Sequence, residues 1–434
     1  MMHKIKSLVP QSAKNIYHLA QAMMANVWFG FPTRKLRVIG VTGTDGKTTT
    51  VQMITGILEQ AGKKVAMAST INFRINGAEE KNLSHYTTHS AFAVQRFAAR
   101  AVRENCEYLV LETSSHALDQ HRVWGVKYDV ALITNVTREH LDYHETIEKY
   151  RKAKKRLFEI VAKNKGKIVV NLDMENPEEF LNFNIGSKYG YMTGNQSLVT
   201  SNQQIEVIKA ENIKLGINES EFTIHDSSFK LHVPALFNIE NALGASCVAL
   251  GEGIEMETIK EALAKIKGVP GRMEGVANDR GLNIIVDFAL TPESLKKLYS
   301  FLVGVKKSES KIIAVFGSCG DRDRGKRPIM AEVVSEHADF VIITNDEPYH
   351  EDPRKIIEEI AVGIKNKTEG ENFWKISDRR DAINKALEIA KPGDIIAVTG
   401  MGAEESMVIG GKKIPWNDQK VIEEELQKIS NPSN

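Results

Sequence analysis

From residue 36 onward, short apolar runs alternate with stretches whose apolar residues recur at helical spacing. The apolar runs are residues 36–43, 63–70, 107–115, 128–136 and 165–173. The stretches with helical spacing are residues 47–60, 91–104 and 146–162. Buried strands that alternate with helices form βαβ units, so this pattern predicts an α/β fold with a mostly parallel sheet.

The pattern changes near residue 195. Residues 195–233 contain short alternating segments, which favour antiparallel hairpins, and two helical stretches follow at 238–251 and 256–266. The turn residues Val269-Pro270-Gly271-Arg272 then mark a candidate domain boundary. Beyond it a second α/β series has strands at 282–289, 311–318, 338–346, 372–377 and 394–400, with helices at 291–304 and 378–390.

These changes predict three parts for a chain of this length. We expect a short helical segment at 1–35, a central domain at 36–275 and a C-terminal Rossmann-like α/β domain at 276–434. Residues 16–32 are apolar but too short to span a bilayer. They favour an amphipathic helix packed on the next domain, with a peripheral membrane contact as the alternative.

Charge and cysteine content narrow the function classes. The 434 residues include 57 basic and 56 acidic ones, for a net charge of +1, so no global field attracts nucleic acid or a membrane. The three cysteines are Cys106, Cys247 and Cys319, and their number and spacing give no disulfide framework. A reduced, cytoplasmic location is therefore expected, with small-molecule partners, no nucleic acid and no integral membrane segment.

A glycine-rich loop follows the first apolar run. Residues 43–50, Gly-Thr-Asp-Gly-Lys-Thr-Thr-Thr, lie where a buried strand turns into a helix. Gly43 and Gly46 let backbone N–H groups converge on an anion, and the helix adds its positive end. Lys47 can reach the β- and γ-phosphates of ATP, and the Thr48 hydroxyl can bind Mg²⁺. The sequence thus predicts a P-loop ATPase domain; a structural turn is the alternative.

Candidate metal ligands follow the next two strands. Glu112 ends the strand at 107–115, and carboxyl ends of parallel strands form the active crevice of such sheets. Residues 135–144 contain His140 and His144. Carboxylate oxygens suit Mg²⁺, whereas two histidines four residues apart would suit zinc only with a third ligand.

Several segments, in order, resemble the Mur ligases, which add amino acids to the peptidoglycan precursor. Residues 42–50, TGTDGKTTT, resemble that family's TGTNGKTTT. Further matching blocks are ETSSHALDQHRV (112–123), TNVTREHLDYH (134–144), KAKKRLF (152–158), FNIENALGA (237–245), VPGRMEGV (269–276), VDFALTPESL (286–295), FGSCGDRDRGKRP (316–328) and TGMGAEE (399–405). Chance does not produce so many ordered blocks, and the resemblance covers residues 36–425.

The resemblance implies ATP-dependent amide formation with Mg²⁺. A carboxylate attacks the γ-phosphate to give an acyl phosphate, and an amine then attacks the acyl carbon. The implied catalytic residues are Lys47, Glu112, His140 and Lys154, and the implied metal ligands are Thr48, Glu112, His140 and Lys154. Lys154 matches a lysine that is carbamylated in many relatives, whereas its basic surroundings alone favour a solvated helix face. The implied ATP contacts are Gly43, Thr44, Asp45, Gly46, Lys47, Thr48, Thr49, Asn241, Arg272 and Asp287.

The resemblance also implies two substrate sites. Thr87, Thr88, Ser114, Gln120 and Arg122 match contacts to a muramyl-peptide acceptor, although His89 stands where the family has proline. Arg327, Gly400 and Glu404 match contacts to the incoming amino acid, with Arg327 on its α-carboxylate. Met401, Ala403 and Leu290 replace the lysine and two histidines that the family has at these positions.

Two departures affect specificity. The family normally has about a hundred residues before the phosphate loop, which grip UDP, and here about forty precede it. UDP is then held differently, the acceptor lacks UDP, or a partner supplies that domain. The family's Asp-Asn-Pro-Arg motif for diaminopimelate is Asp346-Glu347-Pro348-Tyr349 here. Because tyrosine cannot clamp a distal carboxylate as arginine does, lysine or another diamino acid is favoured over diaminopimelate.

We therefore expect a ligase that adds the third residue to a muramyl-dipeptide acceptor in cell-wall synthesis. The active site would lie between the central and C-terminal domains and be assembled by closure. The alternatives are the same chemistry on a folate, poly-amino acid or pseudomurein precursor, and a non-enzymatic nucleotide-binding protein.

Overall fold

The computed structural model describes residues 10–84, 86–194 and 205–430, which form two compact units. The first unit contains most of the chain up to residue 266, and the second contains most of the chain from residue 267 onward. Residues 1–9 of the expected N-terminal segment, and residues 195–204, where hairpins were expected, lie outside the described residues.

One sheet of eleven strands forms the framework of the first unit. Its strands are β1 (Arg37–Thr42), β2 (Val65–Ala68), β3 (Asn72–Ile75), β4 (Ala78–Lys81), β5 (Tyr108–Glu112), β6 (Tyr128–Ile133), β7 (Lys167–Asn171), β8 (Ser187–Met192), β9 (Glu206–Leu215), β10 (Ser220–Ile224) and β11 (Ser227–Leu231). The strand order is β11-β10-β9-β8-β7-β6-β1-β5-β2-β3-β4. Every pair from β9 across to β2 is parallel, and β3 and β4 add an antiparallel edge.

Helices connect these strands. They are α1 (Gln11–Phe29), α2 (Lys47–Gln60), α3 (Ala91–Arg103), α4 (Ser115–Asp119), α5 (Leu141–His144), α6 (Ile147–Lys163), α7 (Glu178–Leu181), α8 (Leu236–Gly251) and α9 (Met256–Lys265). Strand β1 is almost entirely buried and lies between β5 and β6. Because these strands are parallel, the loop after β1 and the residues that end β5 and β6 lie at one edge of the sheet.

The second unit has a sheet of six strands in the order β12-β13-β17-β14-β15-β16. Its strands are β12 (Glu274–Val276), β13 (Asn283–Asp287), β14 (Ile312–Phe316), β15 (Phe340–Ile343), β16 (Phe373–Lys375) and β17 (Ile395–Thr399), followed by the separate hairpin β18 (Ser406–Ile409) and β19 (Lys412–Pro415). Its helices are α10 (Pro292–Val305), α11 (Lys326–His337), α12 (Pro353–Ala361), α13 (Arg379–Ile389) and α14 (Asp418–Ser430). Within the six-stranded sheet, all pairs except β12–β13 are parallel.

The predicted α/β class with a mostly parallel sheet is confirmed. The helix predicted at 47–60 has those bounds in the structure, because Gly46 precedes it and its apolar residues face the sheet. The hairpin of β3 and β4 was not predicted. Every residue of β4 is exposed, so the strand carries no apolar alternation that sequence inspection could detect.

Candidate active site

The loop between β1 and α2 requires glycine at two positions. Gly43 and Gly46 have φ of 152° and 80°. A Cβ at Gly43 would lie 1.8 Å from Thr134 Oγ1, and one at Gly46 would lie 2.3 Å from Asn241 Oδ1. The loop therefore packs directly against Thr134, which follows β6, and Asn241, which lies on α8. Only glycine allows this close approach.

Side chains after β6 also fix the loop's backbone. Asn135 Oδ1 accepts hydrogen bonds from the amides of Thr44, at 3.2 Å, and Asp45, at 3.0 Å. Thr134 Oγ1 donates to the Asp45 carbonyl at 2.6 Å. Helix α2 begins at Lys47, and no side chain among the described residues caps its first turn. Its free N–H groups and dipole are therefore directed toward an anion site.

Thr48 and Glu112 face each other beside this loop. The Thr48 hydroxyl lies 3.0 and 3.1 Å from the two Glu112 carboxylate oxygens. Thr70 donates to the same carboxylate through its amide at 2.7 Å and its hydroxyl at 2.9 Å. Glu112 is buried, so these donors stabilise its charge, and the oxygen-rich cluster has the ligand chemistry that Mg²⁺ prefers.

Lys154 lies beneath the phosphate loop, and its local interpretation as a solvated helix residue was wrong. Its side chain is 1% exposed, and Nζ donates to the Gly43 carbonyl at 2.6 Å. Nζ also lies 4.2 Å from the centroid of the Tyr150 ring. Burial, reinforced by the nearby Lys47 charge, holds the pKa of Lys154 well below its usual value.

Three histidines, His116, His140 and His144, lie close together. The His116 ring centroid lies 4.8 Å from that of His140 and 5.3 Å from that of His144. Burial lowers the pKa of His144 to about 4, and its Nε2 lies 3.0 Å from the Ser115 hydroxyl. The part of the chain that the structure describes contains no group of three or more His, Cys, Asp or Glu suited to a metal, so the zinc alternative gains no support.

The predicted acceptor residues meet near Glu112. Thr88 Oγ1 donates to the Glu112 carbonyl at 2.8 Å and accepts from the Ser114 amide at 2.9 Å. Arg122 Nη1 donates to the Thr88 carbonyl, whereas its buried Nε has no hydrogen-bond partner among the described residues. Burial is the main cause that lowers the pKa of Arg122, so an anionic ligand would stabilise this guanidinium.

Two other acceptor residues lie at the edges of this group. The Thr87 hydroxyl is 3.2 Å from that of Thr70, and Gln120 directly follows the last residue of α4. Asn241, predicted to lie near adenine, accepts a hydrogen bond from the Thr50 hydroxyl of α2 at 3.2 Å, so α8 contacts the helix that follows the phosphate loop. The phosphate loop, Glu112, Lys154, Asn241 and the acceptor residues therefore form one cluster within the first unit.

In the second unit, Arg272 and Asp287 lie around the start of the domain. The Arg272 guanidinium lies 4.4 Å from the Phe288 ring centroid. Asp287 accepts from the amides of Met273 and Ala289, both at 2.8 Å. Gly271 cannot be replaced without a shift, because a Cβ there would lie 2.1 Å from the Ala403 nitrogen.

Residues 346–349 lie against the loop after β17. A Cβ at Gly400, where φ is 110°, would lie 2.7 Å from Asp346 Oδ2. Asp346 is buried, which raises its pKa to about 6, and the Tyr349 hydroxyl donates to Glu347 Oε2 at 2.8 Å. Glu404 follows Gly400 in a turn closed by its amide and the Met401 carbonyl. The structure thus brings the predicted Asp-Glu-Pro-Tyr segment and Gly400 together.

Arg327 does not lie open to a ligand. Its side chain is fully buried, Nη1 donates to Glu359 Oε2 at 2.6 Å, and both Nη atoms bond to Glu351 at 2.9 to 3.0 Å. Both Nη atoms are therefore already paired, whereas the buried Nε has no hydrogen-bond partner among the described residues. Arg322 is exposed. Burial is the main cause that raises the pKa of Tyr349 and of Cys319, and the Arg322 charge opposes the rise in both, so Arg322 lies near the 346–349 segment.

Sequence inspection missed three further positioning residues. Thr70 positions Glu112 and lies at the end of the predicted strand 63–70. Asn135 positions the phosphate loop and lies in the matching block 134–144. Buried Arg379 pairs with Asp418 and donates to the carbonyls of Asn345, at 3.2 Å, and Thr399, at 2.9 Å. It thereby ties the ends of β15 and β17 together, which no local pattern indicates.

Comparison with known families accounts for both units. Residues 41–249 match the Mur ligase middle domain, and residues 271–402 match the domain described as Mur ligase, glutamate ligase domain. The chain belongs to the Mur ligase family. It is therefore an ATP-dependent ligase that forms amide bonds. The predicted family membership and enzyme class are confirmed.

Individual relatives agree over nearly the whole chain. The UDP-N-acetylmuramoyl-L-alanyl-D-glutamate–2,6-diaminopimelate ligase of Clostridium botulinum is 39% identical over 94% of this chain and 82% of its own length. A UDP-N-acetylmuramyl-tripeptide synthetase of Roseiflexus is 36% identical over 92% of this chain and 80% of its own length. A solved 2,6-diaminopimelate ligase structure has a TM-score of 0.62 at 30% identity, covering 91% of this chain and 79% of that one.

One further property concerns membranes. Among the described residues, no helix of this ligase is both long enough and apolar enough to cross a bilayer.

Proposed function

We propose that this ligase joins a diamino acid to the free carboxylate of a muramyl-dipeptide acceptor, with ATP as the phosphate donor. Relatives named for this acceptor cover most of the chain, and the residues matched to acceptor contacts, Thr88, Ser114 and Arg122, lie together beside Glu112. The product would be a peptidoglycan precursor with a third peptide residue.

The observation that carries this proposal is the environment of Lys154. Its amine is buried against the Gly43 carbonyl and burial lowers its pKa, which favours the neutral amine, the form that reacts with carbon dioxide. Addition of this neutral amine to carbon dioxide, with loss of one proton, would leave a carboxylate beside the phosphate loop.

In the proposed reaction, an oxygen of the acceptor carboxylate attacks the γ-phosphorus, and the bond to ADP breaks. Lys47 and the N-terminus of α2 stabilise charge on the transferred phosphoryl group. The neutral amine of the amino acid then attacks the acyl carbon, loses a proton, and phosphate leaves. The second unit would bind the amino acid. Closure of the two units stays a prediction, as do the domain boundaries at residues 36, 275 and 276.

The residues around the phosphate loop fit ATP and Mg²⁺. Gly43 and Gly46 let the loop backbone curve tightly against Thr134 and Asn241, and Thr48 and Glu112 present oxygen ligands, with His140 and a carbamylated Lys154 as further candidates. The metal would neutralise charge on the phosphate oxygens. Asn241, Arg272 and Asp287 stay predicted ATP contacts.

For the amino acid, we favour lysine over diaminopimelate, although relatives are named for the latter. Tyr349 replaces the family arginine and bonds to Glu347, so this segment offers a buried carboxylate pair, Asp346 and Glu347, to a distal ammonium. We assign the α-carboxylate to exposed Arg322 in place of Arg327, because Arg327 is already paired with two glutamates.

Phosphate release with UDP-muramoyl-dipeptide and a panel of amino acids tests the proposal. We expect release only when acceptor and amino acid are both present, with lysine best and D-alanine inactive. Release with folate or a poly-amino acid, and none with any muramyl acceptor, would contradict it. Release that is equally fast without acceptor would also contradict it. The cytoplasmic location and a partner that supplies a UDP-binding domain stay predictions.

A further inference from the structure

Helix α1 buries small and polar residues and exposes large apolar ones, which is the opposite of the usual pattern for a surface helix. Its buried face consists of small or polar residues, Ala22, Ala25 and Asn26, and Ala22 and Ala25 pack with Ala91 of α3. Asn26 Nδ2 donates to the Trp124 carbonyl at 2.7 Å, and a Cβ at Gly125 would lie 2.5 Å from the Asn26 side chain. The buried face of α1 therefore packs closely against the rest of the first unit.

The opposite face carries the large apolar side chains into solvent. Trp28 is 80% exposed and Val27 is 71% exposed. Ile16, Tyr17, Met23 and Met24 are also exposed, and the spacing of all six places them on one side of the helix. Contiguous exposed apolar patches of this kind are rare on monomeric proteins and mark interaction surfaces. The expected amphipathic helix packed on the next domain is present, and Phe29 contacts Phe92 there, but these six larger apolar residues face away from that domain.

Charge indicates what covers this face. The first acidic residue of the sequence is Asp45, whereas the preceding residues include Lys4, Lys6, Lys14, Arg34, Lys35 and Arg37. Arg34 and Lys35 are exposed directly after the helix. An apolar helical face with tryptophan and tyrosine, joined to basic residues, is the combination that enters the headgroup region of anionic bilayers.

A second copy of the chain is a poorer occupant. In a two-fold symmetric dimer the same surface meets itself, and residues 1–44 contain no acidic residue, so the facing segment would offer Arg34 and Lys35 no acidic partner. We propose that the α1 face, defined as Ile16, Tyr17, Met23, Met24, Val27 and Trp28, docks on the surface of an anionic lipid bilayer.

Helix α1 contacts the neighbourhood of the proposed acceptor residues through its other side. Asn15 Nδ2 lies 3.3 Å from Asp119 Oδ2, and Gln11 Nε2 donates to the Tyr143 hydroxyl at 3.0 Å. Asp119 directly precedes Gln120. Burial is the main cause that lowers the pKa of His18, and the Arg122 charge lowers it further, so His18 lies near Arg122. Docking through α1 would thus keep the acceptor end of the first unit near the membrane.

Vesicle sedimentation tests the proposal with the full chain. We expect it to sediment with phosphatidylcholine vesicles that contain 30% phosphatidylglycerol, about tenfold more than with pure phosphatidylcholine vesicles. Val27→Ser/Trp28→Ser should lower binding roughly tenfold or more. The matched control, Ile329→Ser/Val362→Ser, removes exposed apolar residues in the second unit and should bind as the unaltered chain does. Arg34→Gln/Lys35→Gln should weaken binding about fivefold per residue.

A second measurement does not depend on folded variants. Brominated lipids should quench the tryptophan fluorescence of the unaltered chain, and Trp28→Phe should lose most of that quenching while it still sediments. Failure to sediment with anionic vesicles, or absence of quenching, would overturn the proposal. A dimer mass by light scattering that Val27→Ser/Trp28→Ser reduces to a monomer would also overturn it, in favour of a second copy. Phosphate release without vesicles should be unchanged in both double serine variants, which separates this test from that of the proposed function.

Discussion

The Lys154 amine donates a hydrogen bond to the Gly43 carbonyl oxygen at 2.6 Å, although the two residues are 111 positions apart. Gly43 begins the phosphate loop, and Lys154 lies on α6. The amine is therefore held where the reacting phosphate is expected, in surroundings that disfavour its protonated form.

We predict that Lys154 is carbamylated. Lys154→Ala should lower kcat roughly 100-fold or more, because a carboxylate near the phosphates is lost. Added acetate should restore part of the activity, and mass spectrometry at mild pH should detect a labile carbon-dioxide adduct on the unaltered chain. Exposed Lys152 on the same helix is the control, and Lys152→Ala should be fully active. Unaided full activity of Lys154→Ala would contradict the prediction.

We predict that residues 347 and 349 together set amino-acid choice. Tyr349→Arg alone should raise use of diaminopimelate only weakly, because the new guanidinium would pair with Glu347, the present partner of the Tyr349 hydroxyl. Glu347→Asn/Tyr349→Arg should shift kcat/KM toward diaminopimelate by roughly 10-fold or more. Tyr349→Phe serves as the control, and an unchanged preference in the double variant would remove the specificity argument.

Arg322 and Arg327 should differ in the property that each supports. Arg322→Gln should raise KM for the amino acid by about 10-fold or more, with KM for ATP and the melting temperature unchanged. Arg327→Gln should lower the free energy of unfolding by about 3 kcal/mol, because it leaves the carboxylates of Glu351 and Glu359 without their buried partner. A stable Arg327→Gln protein with a raised amino-acid KM, beside a normal Arg322→Gln, would reverse the assignment.

His144 should make the protein sensitive to acid. Its folded-state pKa is lowered to about 4 by burial, while an unfolded histidine titrates near about 6.5. Its contribution to stability is therefore complete above the unfolded pKa and is lost as the pH falls from about 6.5 to about 4. Chemical denaturation at these two pH values measures how much the free energy of unfolding falls. This fall should be smaller by about 2 kcal/mol in His144→Gln than in the unaltered protein. Exposed His225→Gln is the control, and equal losses in all three proteins would contradict this account.

Some of the fold and site could be predicted because the signals are local. The bounds of α2 follow from Gly46 and from apolar spacing, and the phosphate loop is one continuous segment. The burial of Lys154 is different, because the basic run around it predicts a solvated face. Only the packing of α6 against the phosphate loop buries this one lysine, while Lys152 stays exposed.

The pairing of Arg327 with two glutamates has the same physical origin. Its partners Glu351 and Glu359 are 24 and 32 residues away, on segments whose approach depends on the whole second unit. Arg322, only five residues earlier, has the same residue type and stands in the same matching block. Sequence alone could not decide which of the two arginines remains available to a substrate.

The most direct test of the central claim follows the oxygen atoms of the acceptor. UDP-muramoyl-dipeptide carrying ¹⁸O in its free carboxylate is incubated with ATP, Mg²⁺ and lysine, and both products are analysed by mass spectrometry. Transfer of the carboxylate to an acyl phosphate predicts an amide-linked product and one ¹⁸O atom in each phosphate released. Phosphate without ¹⁸O, or phosphate release without an amide product, would contradict the account.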